Sequence, residues 1–336
     1  MPQSQYRLDD NGCFVIEDYQ QSKPFSNFFP GVAGEWGIPM WVFYVNRGQG
    51  IASFGLESKD KAILEFHAAN KAYRLSSLQG FRTFIKIQLG KRNIFWEPFQ
   101  NKEQNPAFKC EQNFYITASD LTIEEKNFTL GLVIRVNYFT IPNESFPGLV
   151  RSVTITNTSG KNYQLELIDG LPAFMPYGMS DWVMKNMSRT VEAWVNVRNV
   201  EKKMPYYHLK VDVADTAAVK HIKEGNFYFT FWGDKEGKDG LLDILVDPMA
   251  VFGQATDLII PEPFLCGRSF NPAAKQYTSN RTPCAMSFAK IKISAKKSKQ
   301  FISIIGHALQ QKELNDIVTK VTKKDTSQRN SRRMKP

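Results

Sequence analysis

Four histidines, four cysteines and 33 carboxylates are the groups in this sequence that could hold a metal or move a proton. His67, His208, His221 and His307 lack the spacing and the adjacent glutamate of a helical zinc site, so each reads as structural. Cys13, Cys110, Cys266 and Cys284 form no Cys-x-x-Cys pair, which argues against zinc. No Gly-x-Gly-x-x-Gly opens a helix and no glycine-rich loop ends in Gly-Lys-Ser/Thr. Gly178-Met179-Ser180 lacks the second glycine of a nucleophile elbow. No metal, nucleotide or other cofactor is therefore expected. A glycosidase carboxylate pair is defined by separation in space, and the sequence singles none out. Asp169, Asp181, Asp234 and Asp243 sit at strand ends or turns, where an acid more often caps a turn than protonates a substrate.

Two segments set large aromatics among glycine and polar side chains, the combination that sugar-contacting surfaces use. Residues 34–50 carry Trp36, Trp41 and Tyr44 with Asn46 and Arg47. An indole face covers the apolar C–H face of a pyranose while Asn and Arg satisfy its hydroxyls. The alternative is that these rings plug the core. Residues 169–182 run through Phe174, Tyr177 and Met179 to Trp182, and Lys185, Asn186 and Arg189 follow. A long excursion between strands is where a sheet protein usually places function. Ser180 reads as the N-cap of a short helix; if that helix persists, Asp181, Lys185 and Arg189 share one charged face beside Trp182. The alternative there is a solvated helix with Trp182 turned inward.

The elements that must position these segments read as strands. Period-two alternation recurs from about residue 50 to 305, most clearly at Leu130, Leu132, Ile134, Val136 and Tyr138. Residues 149–156 and 163–168, separated by Asn157-Thr158-Ser159-Gly160-Lys161-Asn162, predict a hairpin. Further strands are expected at 81–89, 114–118, 190–197, 207–213, 227–232, 241–246, 285–294 and 301–305, a pattern that favours an antiparallel sandwich over alternating βαβ units. Besides the helix after Ser180, Leu314, Ile317, Val318 and Val321 recur at helical spacing. That stripe either packs back on the sandwich or begins a connector to a further domain.

Length and composition are compatible with this architecture: 336 residues, 42% hydrophobic, 23% charged and 13% aromatic. The net charge of +10 is concentrated at the end, where residues 320–336 hold seven basic side chains and one acid. That tail is expected to be disordered, and with no basic stripe interleaved with aromatics in the body, no nucleic-acid partner is expected. No leader and no run of about 18 apolar residues is present, so a cytoplasmic location with reduced thiols and no membrane partner is expected.

Several blocks then carry a family likeness. Phe25-Ser26-Asn27-Phe28 with Pro30-Gly31-Val32-Ala33-Gly34, the stretch 37–50, the block 149–181 with Lys185-Asn186-Met187-Ser188-Arg189, and Phe301-Ile302-Ser303-Ile304-Ile305-Gly306-His307 resemble the amino-terminal region of cellobiose-phosphorylase-like enzymes. These are glycoside phosphorylases grouped with glycoside hydrolase family 94 and its relatives. The resemblance implies a mainly β fold, an antiparallel super-β-sandwich of the galactose-mutarotase-like kind, followed by a helical linker and an (α/α)6 barrel that carries the general acid and the phosphate site. The divisions expected are an extension at 1–24, the sandwich at 25–308, a linker-like amphipathic helix at 309–324 and a basic tail at 325–336. The chain stops where the linker would begin, so no catalytic residue carries over, and inorganic phosphate would be a co-substrate only with a barrel supplied. The expected role is the non-catalytic sandwich of a β-glucan or cellobiose-type phosphorylase. Its partners would be a β-glucoside glycan, a catalytic barrel domain or chain, and a second copy in a homodimer. The alternatives are a freestanding carbohydrate-binding module and a small sugar-acting enzyme with a carboxylate pair in the sandwich. The contact residues expected are Trp36, Trp41, Tyr44, Asn46, Arg47, Asp181, Trp182, Lys185, Asn186 and Arg189.

Overall fold

The computed structural model describes residues 5–29, 40–45, 47–90, 92–100, 107–142, 144–213, 217–233, 240–266 and 270–322, with the backbone alone at 188 and 189. Its strands in chain order are β1 (Gln5–Leu8), β2 (Phe14–Glu17), β3 (Phe25–Phe29), β4 (Met40–Tyr44), β5 (Ile51–Gly55), β6 (Ala62–Leu64), β7 (Arg82–Leu89), β8 (Arg92–Trp96), β9 (Cys110–Ile116) and β10 (Asp120–Asn127). There follow β11 (Leu132–Thr140), β12 (Gly148–Asn157), β13 (Tyr163–Leu171), β14 (Val195–Arg198), β15 (Tyr206–Leu209), β16 (Gly225–Trp232), β17 (Asp243–Leu245), β18 (Ala285–Ile293) and β19 (Ser298–Ala308). The α-helices are α1 (Ala69–Gln79), α2 (Asp181–Asn186), α3 (Pro248–Phe252), α4 (Glu262–Leu265) and α5 (Leu314–Val321).

The fold is mainly antiparallel β. A ten-stranded sheet runs β1-β2-β9-β10-β11-β12-β19-β16-β15-β14, a five-stranded sheet runs β17-β18-β13-β7-β8, and a four-stranded sheet runs β3-β4-β5-β6. One core joins all three. Leu132, Ile134 and Val136 of the large sheet, Ile85, Leu167 and Ile291 of the five-stranded sheet, and Val42, Phe54 and Ile63 of the four-stranded sheet belong to a single buried cluster. The alternation read from the sequence at Leu132–Tyr138 is present, with each second side chain buried. Residues 5–17, part of the expected extension, form the edge of the large sheet through β2 and β9.

The hairpin expected between residues 149 and 168 is not formed. β12 pairs with β11 and β19, whereas β13 pairs with β18 and β7 in the other sheet. Both strands carry an apolar inner face, so the polar turn between them crosses from one layer to the other instead of folding back. An ion pair bridges the layers: Arg151 on β12 reaches the Asp169 carboxylate on β13, and both are fully buried. Gln49 Oε1 accepts from Arg151 Nη2 at 2.6 Å and the Tyr138 hydroxyl from Arg151 Nε at 3.1 Å. Thr83 donates to Asp169 at 2.6 Å. A buried charge persists only with such partners.

Helices cover the outer faces. Val251, Phe252 and Phe264 of α3 and α4 pack on Phe84, Ile168 and Phe288 of the five-stranded sheet. The stripe of Leu314, Ile317, Val318 and Val321 packs back on the large sheet with Phe227, Phe229 and Ile304, so α5 is seated on its own domain. The expected strand at 190–197 is shorter, because 188–194 forms a 3₁₀ helix and only Val195–Arg198 pairs. The tail expected at 325–336 lies outside the described residues. No helix among the described residues is long and apolar enough to cross a membrane.

Candidate functional site

The two aromatic segments singled out in the sequence meet at one side chain, Phe66. On β4 the side chains alternate: Met40, Val42 and Tyr44 enter the central core, while Trp41 and Phe43 face outward. Trp41 sets its ring edge-on to Phe66, with centroids 5.7 Å apart. From the other side, Met175, Met179 and Met184 of the excursion after β13 pack into the same small cluster. Residues 65–68 lead from β6 into α1, whose buried Ala72 lies against Phe43 and Ile51.

Beside Phe66 opens a cleft of about 230 Å³. Its polar lining is Glu65, His67, Gln79 and Thr282, set among Leu171, Phe174 and the three methionines. This is below the ~300 Å³ at which drug-sized sites begin, so it fits one small group and not an extended chain. Burial among apolar neighbours pushes the Glu65 carboxyl up to about 7; Lys71 opposes the rise and Asp181 adds to it. His67 Nδ1 lies 3.4 Å from Glu65 Oε1, and burial, with Lys71 adding to it, holds this imidazole below its ordinary value. Near neutral pH the cleft therefore holds a carboxyl group that can give or take a proton, beside a neutral imidazole.

The rim is built by α2. Ser180 caps it as the sequence predicts, its hydroxyl accepting from Val183 N at 3.2 Å, and the Asp181 amide donates to Asp60 at 3.0 Å. Lys185 pairs with Asp181 at 2.6 Å, and the Asn186 amide donates to the Trp182 carbonyl at 2.8 Å. Trp182, 60% exposed, projects from this turn. The excursion is pinned to β15 at both of Tyr177's backbone groups, to Tyr207 O at 3.1 Å and from Leu209 N at 2.8 Å. Beneath it, the Tyr177 ring lies 4.7 Å from that of His307, which touches Asn226 and Glu224.

The expected contact residues divide accordingly. Asp181, Trp182, Lys185 and Asn186 stand together on the rim, and Trp41 is half-buried beneath it, against Phe28 as well as Phe66. Tyr44 is fully enclosed, stacked on Phe25 and edge-on to Phe114, and so presents no surface. The i, i+4, i+8 face does not extend to Arg189, because α2 ends at Asn186 and the chain tightens into 3₁₀ geometry. Trp36, Asn46 and the Arg189 side chain lie outside the described residues, and Arg47 lines a different groove. Glu65 and His67 were missed by sequence reasoning. The available signal was a carboxyl and an imidazole flanking an aromatic immediately after the apolar strand Ala62-Ile63-Leu64.

No family model matches this chain, and no curated protein matches it in sequence. Solved structures give fold likenesses. A protein described as "Putative kojibiose phosphorylase from human microbiome" is 9% identical with a TM-score of 0.42 over 97% of this chain and 37% of its own. A polysaccharide lyase is 9% identical at 0.38, over 88% of this chain and 34% of its own, and heparinase III is 10% identical at 0.33, over 93% and 38%. This chain thus spans little more than a third of the length of each, and at such identities and TM-scores below 0.5 these likenesses fix neither a family nor an activity.

Proposed function

We propose that this chain is a carbohydrate-contacting β-sandwich domain whose ligand edge is the α2 rim and the Glu65 cleft beneath it. The observation that carries the reading is Trp182, an indole left 60% exposed on a turn held by a capped N-terminus, an ion pair and a side-chain bond to its own carbonyl. An uncovered indole on a backbone turn held in this way supplies stacking area with less ordering to be done than one on a mobile loop. The polar groups beside it, Asp181, Lys185 and Asn186, are of the kind that satisfy sugar hydroxyls. In its finer form the proposal is the sandwich of a β-glucan or cellobiose-type phosphorylase, which meets glycan, a catalytic barrel or a second copy of itself along this edge. The resemblance of residues 25–28 with 30–34, 37–50, 149–181 with 185–189, and 301–307 supports that form. Titration of the full chain with cello-oligosaccharides, with Trp182→Ala as comparison, tests it. Saturable binding that the substitution weakens is expected. Absence of binding to glycan and to an added family barrel domain would end the proposal.

Glu65 favours a second reading, a sugar-acting enzyme with this carboxyl as its acid, because a group raised to about 7 is poised for proton transfer. Turnover of a β-glucoside that Glu65→Gln abolishes would select it over the binding module. The module reading expects no release of sugar 1-phosphate or of reducing ends.

A further inference from the structure

A second, larger groove of about 560 Å³ lies on the other side of the end of α1 and shares no lining residue with the Glu65 cleft. Among the described residues three arginines, Arg47, Arg74 and Arg82, line it, against a single carboxylate, Glu97. Arg82 is already committed. Its Nε donates to Glu97 at 2.7 Å, its Nη2 to Ile259 O at 2.8 Å, and its Nη1 to Leu258 O. That guanidinium neutralises Glu97 and clamps the 258–261 wall in place. Arg47 and Arg74 make no ion pair with any described residue. They are two cations facing a concave space whose one carboxylate among the described residues is paired with Arg82.

The frame around them is fixed. Gly48 follows Arg47 in the left-handed region at φ 79°, and its amide donates to Phe99 O at 2.5 Å while its carbonyl accepts from the Tyr19 hydroxyl at 2.9 Å. A Cβ at Gly48 would come within 3.2 Å of Ser77 Cα on α1, the helix that carries Arg74, so the loop and the helix are held at close approach. Phe99 and Leu258, each next in sequence to a lining residue, both adopt positive φ, 66° and 58°. A non-glycine residue in that region is a strained choice, and such choices gather where a surface is shaped for use. Ile259 and Ile260, each about half exposed, add an apolar wall to the groove.

From this arrangement we propose that the groove binds a small molecule carrying one oxyanion. Arg47 and Arg74 engage the anion, and the isoleucine wall covers an apolar face of the molecule that bears it. Guanidinium forks suit phosphate, sulfate and carboxylate alike. The volume falls within the ~300–1,000 Å³ of ordinary ligand sites. The inference is independent of the glycan edge.

Calorimetric titration of the full chain at low salt tests it, with inorganic phosphate, sulfate, glucuronate and glucose 1-phosphate as probes and glucose as the neutral control. Saturable binding of the anions and none of glucose is expected. Tighter binding of glucose 1-phosphate than of inorganic phosphate would show that the apolar wall takes part, and equal affinity would assign the site to the free anion. Arg47→Gln and Arg74→Gln should each weaken binding about tenfold or more, since each removes a charge-assisted hydrogen bond. Added salt should also weaken it. Arg47→Lys and Arg74→Lys, which keep the charge and lose the fork, should fall between. Thermal melts verify that these partly or fully exposed positions leave folding intact, and Trp182→Ala should leave anion affinity unchanged. Absence of saturable binding by every anion up to about 10 mM, or affinity that the arginine substitutions do not change, would overturn the proposal.

Discussion

Replacing Glu65 with glutamine should change how stability depends on pH, and the structure sets both sign and size. The folded chain holds the Glu65 proton up to about pH 7, whereas the unfolded chain releases it near 4.5. Below 4.5 both states are protonated and above 7 both are ionised. Between these limits the folded state binds more protons, so stability contributed by Glu65 is present at low pH and is lost as pH rises. At 1.36 kcal/mol per pH unit the full gap would cost about 3.4 kcal/mol. The side chain is 35% exposed, however, and water screens part of that penalty, which leaves about 1–2 kcal/mol. Glutamine cannot ionise. Relative to Glu65→Gln, the wild-type chain should therefore lose about 1–2 kcal/mol between pH 4.5 and 7.5. Urea denaturation followed by tryptophan fluorescence at half-unit pH steps measures this difference. His67, held below its ordinary value, contributes the opposite slope, with stability lost as pH falls below about 6.5, and that slope is common to both chains. Asp181→Asn removes the repulsion from the rim and should shift the fall toward lower pH. A difference curve flat to within about 0.3 kcal/mol would refute the account of the cleft as an environment that holds Glu65 protonated.

Other perturbations have equally definite outcomes. Trp182→Ala should cost well under the ~3–5 kcal/mol of a core tryptophan while weakening glycan binding; a core-sized loss in urea denaturation would place the indole in the fold. Asp169→Ala should cost about 3–5 kcal/mol, because it strands the fully buried Arg151. An Arg151→Met/Asp169→Leu double variant should recover much of that loss, and additive single and double effects would show that the two are uncoupled. Leu314→Ala should cost about 2–5 kcal/mol without altering the oligomeric mass in light scattering, since its side chain is buried on its own sheet. Burial holds His307 down to about 4, so the stability it confers is complete above about pH 6.5 and is lost as pH falls toward 4; His307→Gln should flatten that limb of the urea-derived stability profile.

Much of the sheet was legible because its signal is local. Leu132, Ile134, Val136 and Tyr138 alternate in sequence and are alternately buried in space. The capped turn at Ser180 and the stripe of α5 were equally readable, since cap chemistry and helical spacing lie within a few residues. Partnership between strands was not. The turn at 158–162 has hairpin chemistry, and only the facing layers decide that it crosses between sheets. α1 was missed because its fully buried positions are Ala72 and Ser76 and its N-cap residue, Ala68, makes no side-chain bond. Glu65 stayed hidden for a related reason. Its carboxyl acquires its properties from Met179, Met184 and Asp181, more than a hundred residues away, and no spacing rule connects them.

The place of β19 in the large sheet bears on how the chain can be made. It is the last strand among the described residues, yet it lies between β12 and β16 and pairs with both. Until it emerges from the ribosome, residues 148–157 present an open edge while about 140 further residues are synthesised, roughly 7–30 s, and residues 225–232 present one for about 65 further residues, roughly 3–13 s. Unpaired edges of this kind recruit strands from other chains. The nascent protein is thus open to such pairing until β19 arrives. Any fragment ending before residue 298 should partition into aggregates, whereas a chain carried through α5 should stay dispersed.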